Sequence, residues 1–273
     1  MVESRRYRIP PVLRAVVIGV VVTLAGSLPW SALVVLNIRY GAFLPWASVV
    51  MVVYLAGFLA YLNGWGPPRS TAATRRRRLR ARGLPRVMWR WALVAGGTAN
   101  AALAAGFIVV SRLGWIHRAR TPFPVAPPWT VAAWLLTGAA VAGIAEECGF
   151  RGYMQEMLEE RYRAPVAIAI TSAVFGAIHL THGLSVAVLF DAAWGAVYGA
   201  LAYFTGSILP SLVLHASLDA LEFFLGWRFA GVPAPPLVGL DKPAWLAIGA
   251  GAALAMLAFW SFQKLARLHS AES

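Results

Sequence analysis

The chain has 273 residues, of which 59% are hydrophobic and 13% are charged, whereas a soluble domain is roughly 45–50% apolar and about 25% charged. This composition indicates a membrane protein. It excludes a large soluble enzyme carried on an anchor, because eight spans of about 20 residues leave only short loops. The net charge of +13 would suggest a nucleic-acid partner in a soluble protein, but basic loops beside membrane spans explain the charge without one.

Apolar runs separated by charged residues, proline and glycine predict an all-α polytopic membrane protein of about eight transmembrane helices. The first run is longer than the roughly 7–15 residues of a signal-peptide core, so we expect it to be retained. We divide the chain into residues 1–128, 129–225 and 226–273, with the chemistry in the middle region. The spans are predicted at 12–36, 42–62, 91–110, 129–157, 164–180, 183–204, 206–225 and 243–263.

Nine arginines lie between Arg69 and Arg90, in the loop after the second span. Such a loop is retained in the cytoplasm, and it attracts anionic lipid headgroups. Lys and Arg residues number 16 on the side of this loop and 6 on the other side. We therefore predict a multi-pass protein of the cell membrane with both termini in the cytoplasm, and we expect no nucleic-acid partner.

Ionisable residues are concentrated in spans four to seven, where the lipid environment disfavours them. Such residues are costly within a bilayer and tend to mark functional sites. Their presence in four consecutive helices predicts that these helices enclose a polar site. They are Glu146, Glu147 and Arg151 in the fourth span, His179 in the fifth, Asp191 in the sixth, and His215, Asp219 and Glu222 in the seventh.

The spacing of these residues indicates different roles. Glu147 and Arg151 are four residues apart with the acid first, so they can form an ion pair on one helix face. Glu146 then remains for chemistry, for which a general base is one use. At about 1.5 Å per helical residue, we expect Glu146, His179 and His215 to meet in one layer near the middle of the membrane.

Three segments resemble the motifs of the CAAX-protease and bacteriocin-processing family of intramembrane proteases, also called CPBP or Abi proteins. Glu-Glu-Cys-Gly-Phe-Arg (146–151) resembles EExxxR, Phe-Gly-Ala-Ile-His (175–179) resembles FxxxH, and His-Ala-Ser-Leu-Asp (215–219) resembles HxxxN/D. Each motif alone is weak, but the three follow in the family's order on spans of suitable spacing. The resemblance covers about 95 residues, from 130 to 225.

The resemblance implies an endopeptidase whose catalytic bundle consists of spans four to seven. By this analogy, Glu146 activates a water molecule with help from His179, and His215 together with Asp219 stabilises the oxyanion. Glu147 and Arg151 brace the fourth helix. The family often has Asn where this chain has Asp219, and an ionised carboxylate cannot donate a hydrogen bond as an amide does. Asp219 must then be protonated or must act by orienting His215.

Several alternatives stay open at the level of the sequence. Glu146, His179 and His215 could hold zinc with a position left for water, but the chain lacks HExxH, and we favour a reaction without a metal cofactor. The same residues could form a packing network in a non-catalytic scaffold or a bacteriocin self-immunity protein. As substrate we expect a peptide or a membrane protein, and the motifs do not specify whether it is prenylated.

Overall fold

The computed structural model describes residues 10–115, 125–182, 186–230 and 239–272. These residues form helices and no strands. The predicted start of the sixth span, residue 183, lies outside the described residues. The helices are α1 (Pro11–Gly41), α2 (Trp46–Leu62), α3 (Ala72–Leu79), α4 (Arg86–Arg112), α5 (Pro128–Glu146), a π-helical segment (Glu147–Met154), α6 (Gln155–Glu159), α7 (Ala164–Ile178), α8 (Ala187–Thr205), α9 (Leu209–Arg228) and α10 (Lys242–Glu272).

Each of the eight predicted spans corresponds to an apolar helix, which confirms an all-α polytopic membrane protein. Six helical stretches are long and apolar enough to cross a membrane, and α5, the π segment and α6 together make one of them. The helices α2 and α7 are shorter, with 17 and 15 residues. The long helix α10 carries exposed apolar side chains such as Trp245, Met256 and Phe259, as expected of a surface that faces lipid.

Close packing between helices brings the middle of the chain together. A Cβ atom added to Gly143 of α5 would lie 2.8 Å from the Cβ of Ala216 in α9. Because Ala216 follows His215 and Gly143 precedes Glu146, this contact brings the two motif-bearing helices side by side. The helix α1 packs across the π segment, where it contributes Ala15 to an apolar cluster with Phe150 and Met154.

The arginine-rich segment is folded rather than a plain loop. It contains α3, and two of its arginines are buried, Arg75 at 5% and Arg80 at 8% exposure. Arg75 donates hydrogen bonds to the carbonyl oxygens of Trp65 and Gly66, both at 3.0 Å. Arg80 donates to the carbonyl oxygen of Ala202 at 2.9 Å. Arg75 therefore stabilises the fold of the segment, and Arg80 links the segment to α8. The interpretation of the loop as a lipid contact did not include these two roles.

Ion pairs fasten α3 to α6, directly beyond the π segment. Arg77 contacts Glu156 at 3.1 Å and Glu160 at 2.8 Å. Arg80 contacts Glu159 at 2.8 Å. The arginine-rich segment is therefore packed against the end of the span that carries Glu146 and Glu147.

Candidate active site

Glu147 and Arg151 form the ion pair that their spacing predicts. The carboxylate Oε1 of Glu147 lies 2.9 Å from Nη1 of Arg151, and both side chains are fully buried. Arg151 also donates to the carbonyl oxygen of Gly195 in α8 at 3.2 Å, and its guanidinium lies 4.3 Å from the ring centroid of Phe175 in α7. The pair thus links the π segment to two other helices rather than bracing one helix alone.

His215 lies between three carboxylates. Its Nδ1 donates to Oε1 of Glu147 at 2.9 Å, whereas its Nε2 lies 3.5 Å from Asp219 and 3.8 Å from Glu146. The carboxylate that fixes Nδ1 is therefore Glu147, and Asp219 is the neighbour of the opposite nitrogen. The orientation of His215 by Asp219 stays a prediction, and the structure adds the hydrogen bond that His215 donates to Glu147, 68 positions earlier in the chain.

The three carboxylates differ in how far a substrate can reach them. The side chain of Glu147 is 0% exposed, while Glu146 is 17% and Asp219 is 20% exposed. The side chain of His215 is 7% exposed. The partly exposed carboxylates of the cluster are therefore Glu146 and Asp219, whereas Glu147 and His215 are buried.

His179 ends the short helix α7 and begins a 3-10 turn, His179–His182. Its Nδ1 is 2.8 Å from the carbonyl oxygen of Phe175, and because a carbonyl only accepts, Nδ1 must be the donor. In neutral His179, Nε2 then carries the lone pair. His179 interacts electrostatically with both Glu146 and Asp219, so the first histidine belongs to the same cluster as the second.

Aromatic side chains hold the two histidines in place. The ring of Phe175 lies 4.9 Å from that of His179 and 6.0 Å from that of His215, measured between centroids. Tyr198 of α8 stacks on His215 at 5.0 Å with an angle of 21° between the rings, and its hydroxyl accepts a hydrogen bond from Asn100 of α4 at 3.2 Å.

Tyr198 and Asn100 were not among the residues predicted from the sequence. One signal could have found Asn100, since it is a polar side chain within the apolar third span. Tyr198 had no comparable signal, because tyrosine is common in membrane helices.

These spans hold further ionisable residues, Cys148, Asp191 and Glu222. Cys148 is fully buried in an apolar cluster that includes Leu62, Leu79 and Ile208, which fits a packing role. Asp191 and Glu222 each have an interaction partner of their own. Among the described residues, no group of three His, Cys, Asp or Glu side chains lies in an arrangement typical of a metal site, and whether Glu146, His179 and His215 bind zinc stays a prediction to be tested.

Fold and site together define a multi-pass α-helical membrane protein with a cluster of carboxylates and histidines between its helices. Residues 128–221 match the model of the family described as type II CAAX prenyl endopeptidase, Rce1-like. This region, about a third of the chain, is therefore similar to that family, which confirms the resemblance inferred from the three motifs. No curated protein and no solved structure matches the chain.

Proposed function

We propose that the protein is an intramembrane endopeptidase that hydrolyses a peptide bond with water activated by Glu146 and His179. The observation that carries the proposal is the cluster itself. The side chain of Glu146 is 17% exposed, and its Oε2 is buried 3.8 Å from Nε2 of His215 without a hydrogen-bond partner among the described residues. A packing network needs no accessible carboxylate, whereas a general base does.

In the proposed reaction, Glu146 takes a proton from a water molecule whose second hydrogen-bond partner is Nε2 of His179. The water oxygen forms a bond to the carbonyl carbon of the substrate, and the carbonyl oxygen becomes an oxyanion. The tetrahedral intermediate collapses by breaking the C–N bond, and the proton held by Glu146 passes to the leaving amine.

The proposed oxyanion donor is Nε2 of His215. Glu147 accepts the hydrogen bond of Nδ1. When both nitrogen atoms of the His215 ring are protonated, Nε2–H is therefore directed at the accessible side of the cluster. Asp219, at 3.5 Å from Nε2, would keep that proton on the imidazole, which gives it a positioning role without the donor capacity of an amide. The substrate we propose is a peptide or a membrane protein. We also propose that both termini of the enzyme lie in the cytoplasm.

The test is cleavage of a peptide library by the purified protein in lipid vesicles. We expect Glu146→Gln to lower the rate by about 10²–10⁴-fold, the usual contribution of a general base. The control is Glu160→Gln, which removes an exposed carboxylate 42% accessible to solvent and should leave cleavage unchanged. Each protein is assayed with and without a chelator.

The other outcomes decide between the alternatives. Full activity of Glu146→Gln would remove Glu146 from the role of base. Cleavage that a chelator abolishes and zinc restores would favour a metalloprotease. If the folded wild-type protein cleaves no peptide and no membrane protein offered to it, the non-catalytic scaffold or self-immunity protein becomes the better description.

A further inference from the structure

A groove of about 300 Å³ lies on the arginine-rich side of the molecule, apart from the candidate active site. Its walls come from the last turn of α2, the residues that follow α3 and the first turn of α9. The residues that line it include Leu59, Asn63, Leu79, Ala81, Leu209 and Leu212. This volume is at the lower end of the range for small-molecule sites, roughly 300–1,000 Å³.

The lining of the groove is polar at one end and apolar at the other. Asn63 caps the end of α2 and is exposed, whereas Leu59 lies one helical turn earlier and Leu212 lies within the first turns of α9. The four residues from Leu59 to Asn63 correspond to about 6 Å along the helix axis. A ligand with a polar head and an apolar chain matches this gradient.

An exposed arginine directly follows a residue of the groove wall. Arg82 is exposed and follows Ala81, which lines the groove. Its backbone is fixed there, because its carbonyl oxygen accepts a hydrogen bond from Ser207 at 2.8 Å and the carbonyl of Arg80 accepts one from the amide of Ile208 at 3.0 Å. In the part of the chain that the structure describes, the acids that pair with this segment contact Arg77, Arg78 and Arg80, and none pairs with Arg82.

We propose that this groove binds one anionic phospholipid. The phosphate group lies at Arg82, and the upper part of an acyl chain lies between α2 and α9. Charge complementarity selects the occupant, since the exposed guanidinium favours an anionic headgroup, and Leu59, Leu209 and Leu212 offer the chain an apolar surface. A basic loop attracts anionic lipids in general. The proposal instead names one binding site, which is this groove.

The bound lipid would stabilise the elements that carry the candidate active site. Leu212 precedes His215 by three residues on α9, and Leu79 packs in one apolar cluster with Cys148 and Tyr153 of the π segment. A chain in the groove therefore contacts α9 directly, and it contacts the π segment only through Leu79. The proposal does not depend on proteolysis, because retention of the lipid is measured directly.

The experiment counts lipids that remain bound to the full-length protein in native mass spectrometry. The protein is exchanged into mixtures of phosphatidylglycerol and phosphatidylcholine. We expect the wild type to retain one phosphatidylglycerol, and we expect Arg82→Gln to weaken that binding about fivefold, the effect of one basic residue near a membrane surface. The matched control is Arg69→Gln, which removes the same charge from an exposed position of the same segment that does not adjoin the groove wall, and should change binding by less than about twofold.

A second variant tests the apolar end. Ala60→Trp places a large side chain into the groove, which Ala60 also lines, without altering any charge, and it should abolish the retained lipid while the thermal unfolding of lipid-free protein stays close to that of the wild type. Equal losses from Arg82→Gln and Arg69→Gln would overturn the proposal in favour of diffuse attraction. Equal retention of phosphatidylcholine and phosphatidylglycerol, or a lipid that survives Ala60→Trp, would overturn it as well.

Discussion

Glu147 serves two cationic or proton-donating partners at once. Its Oε1 lies 2.9 Å from Arg151 and 2.9 Å from Nδ1 of His215. All three side chains lie in the interior, where water cannot replace a lost partner. Removal of one partner from such a buried group leaves the others without compensation, which costs far more than the net stabilisation of the pair.

We therefore expect Glu147→Gln to lower the free energy of unfolding by about 3–5 kcal/mol, the usual effect of breaking a buried ion pair. The amide is neutral, so Arg151 keeps an uncompensated charge in a fully buried position. Denaturant unfolding of the protein in mixed micelles measures the change. Glu160→Gln provides the control, since its exposed pair with Arg77 should contribute less than about 1 kcal/mol. Similar losses from the two variants would contradict the buried character of Glu147.

The sequence predicts contacts along one helix better than contacts between helices. The Glu147–Arg151 pair follows from a spacing of four residues, and the distance in the structure bears it out. The bond between Glu147 and His215 joins α9 to the π segment, and no spacing rule relates residues on separate helices. Tyr198 and Asn100 belong to this second kind, because their relation to His215 arises from the way α4 and α8 pack.

At the scale of elements, the π segment is the unusual feature. Its eight residues, Glu147–Met154, are all buried. Widened turns of this kind are rare and tend to occur at functional sites. Here the segment begins at the second motif acid and is crossed closely by α1. Gly149 makes this approach possible, because a Cβ at that position would meet the side chain of Thr23 and would lie 2.6 Å from the carbonyl oxygen of Gly19.

Substitution of Gly149 by Ala should destabilise the protein by about 1–3 kcal/mol, since α1 must move to admit the methyl group. The nearest atoms include backbone of α1, which cannot rotate away as a side chain can. The shift in the midpoint of thermal unfolding measures this effect. Gly57→Ala in α2 is the matched control, because no atom lies within 4 Å of the added Cβ, and it should be neutral or stabilising by up to about 1 kcal/mol. Equal midpoints for the two variants would show that α1 does not pack on Gly149 this closely.

The existence of each span was predictable from the sequence, but the type of helix it forms was not. A run of apolar residues specifies a span through the cost of exposing polar backbone to lipid, so the predicted 42–62 and the observed Trp46–Leu62 differ only at one end. The predicted 91–110 is extended to Arg86–Arg112, since basic residues can continue a helix beyond the apolar region. The π segment instead packs closely against α1. The sequence of residues 147–154 does not specify this contact with a separate helix.

At the scale of the whole molecule, α4 and α10 form a pair beside the site helices. The helix α10 packs against α4 more extensively than against any other element in the described part of the chain. Arg112 at the end of α4 donates from Nε to Asp241, just before α10, at 3.2 Å, and its Nη2 contacts the same carboxylate. The carboxylate also accepts from the backbone amide of Ala244 at 3.0 Å.

This contact predicts a pH dependence. Burial raises the pKa of Asp241, whereas the amide of Ala244 and the guanidinium of Arg112 lower it. The lowering is the larger effect, so the pKa lies below its ordinary value. The stabilisation is therefore present at neutral pH and is lost as the pH falls through the lowered pKa. Asp241→Asn should unfold at a lower temperature than the wild type at neutral pH, and the difference should shrink as the pH falls through the lowered pKa of Asp241. A difference that persists in acid would show that the charge of Asp241 is not its source.

The pairing of α4 with α10 also has a consequence for biosynthesis. The ribosome completes α4 long before it reaches residue 242, and at about 5–20 residues per second the interval lasts roughly 6–26 s. During that time the face of α4 that later contacts α10 must be covered by lipid or by the insertion machinery. The candidate active site, whose residues all precede α10 in the chain, can therefore assemble before the last helix docks at the side of the bundle.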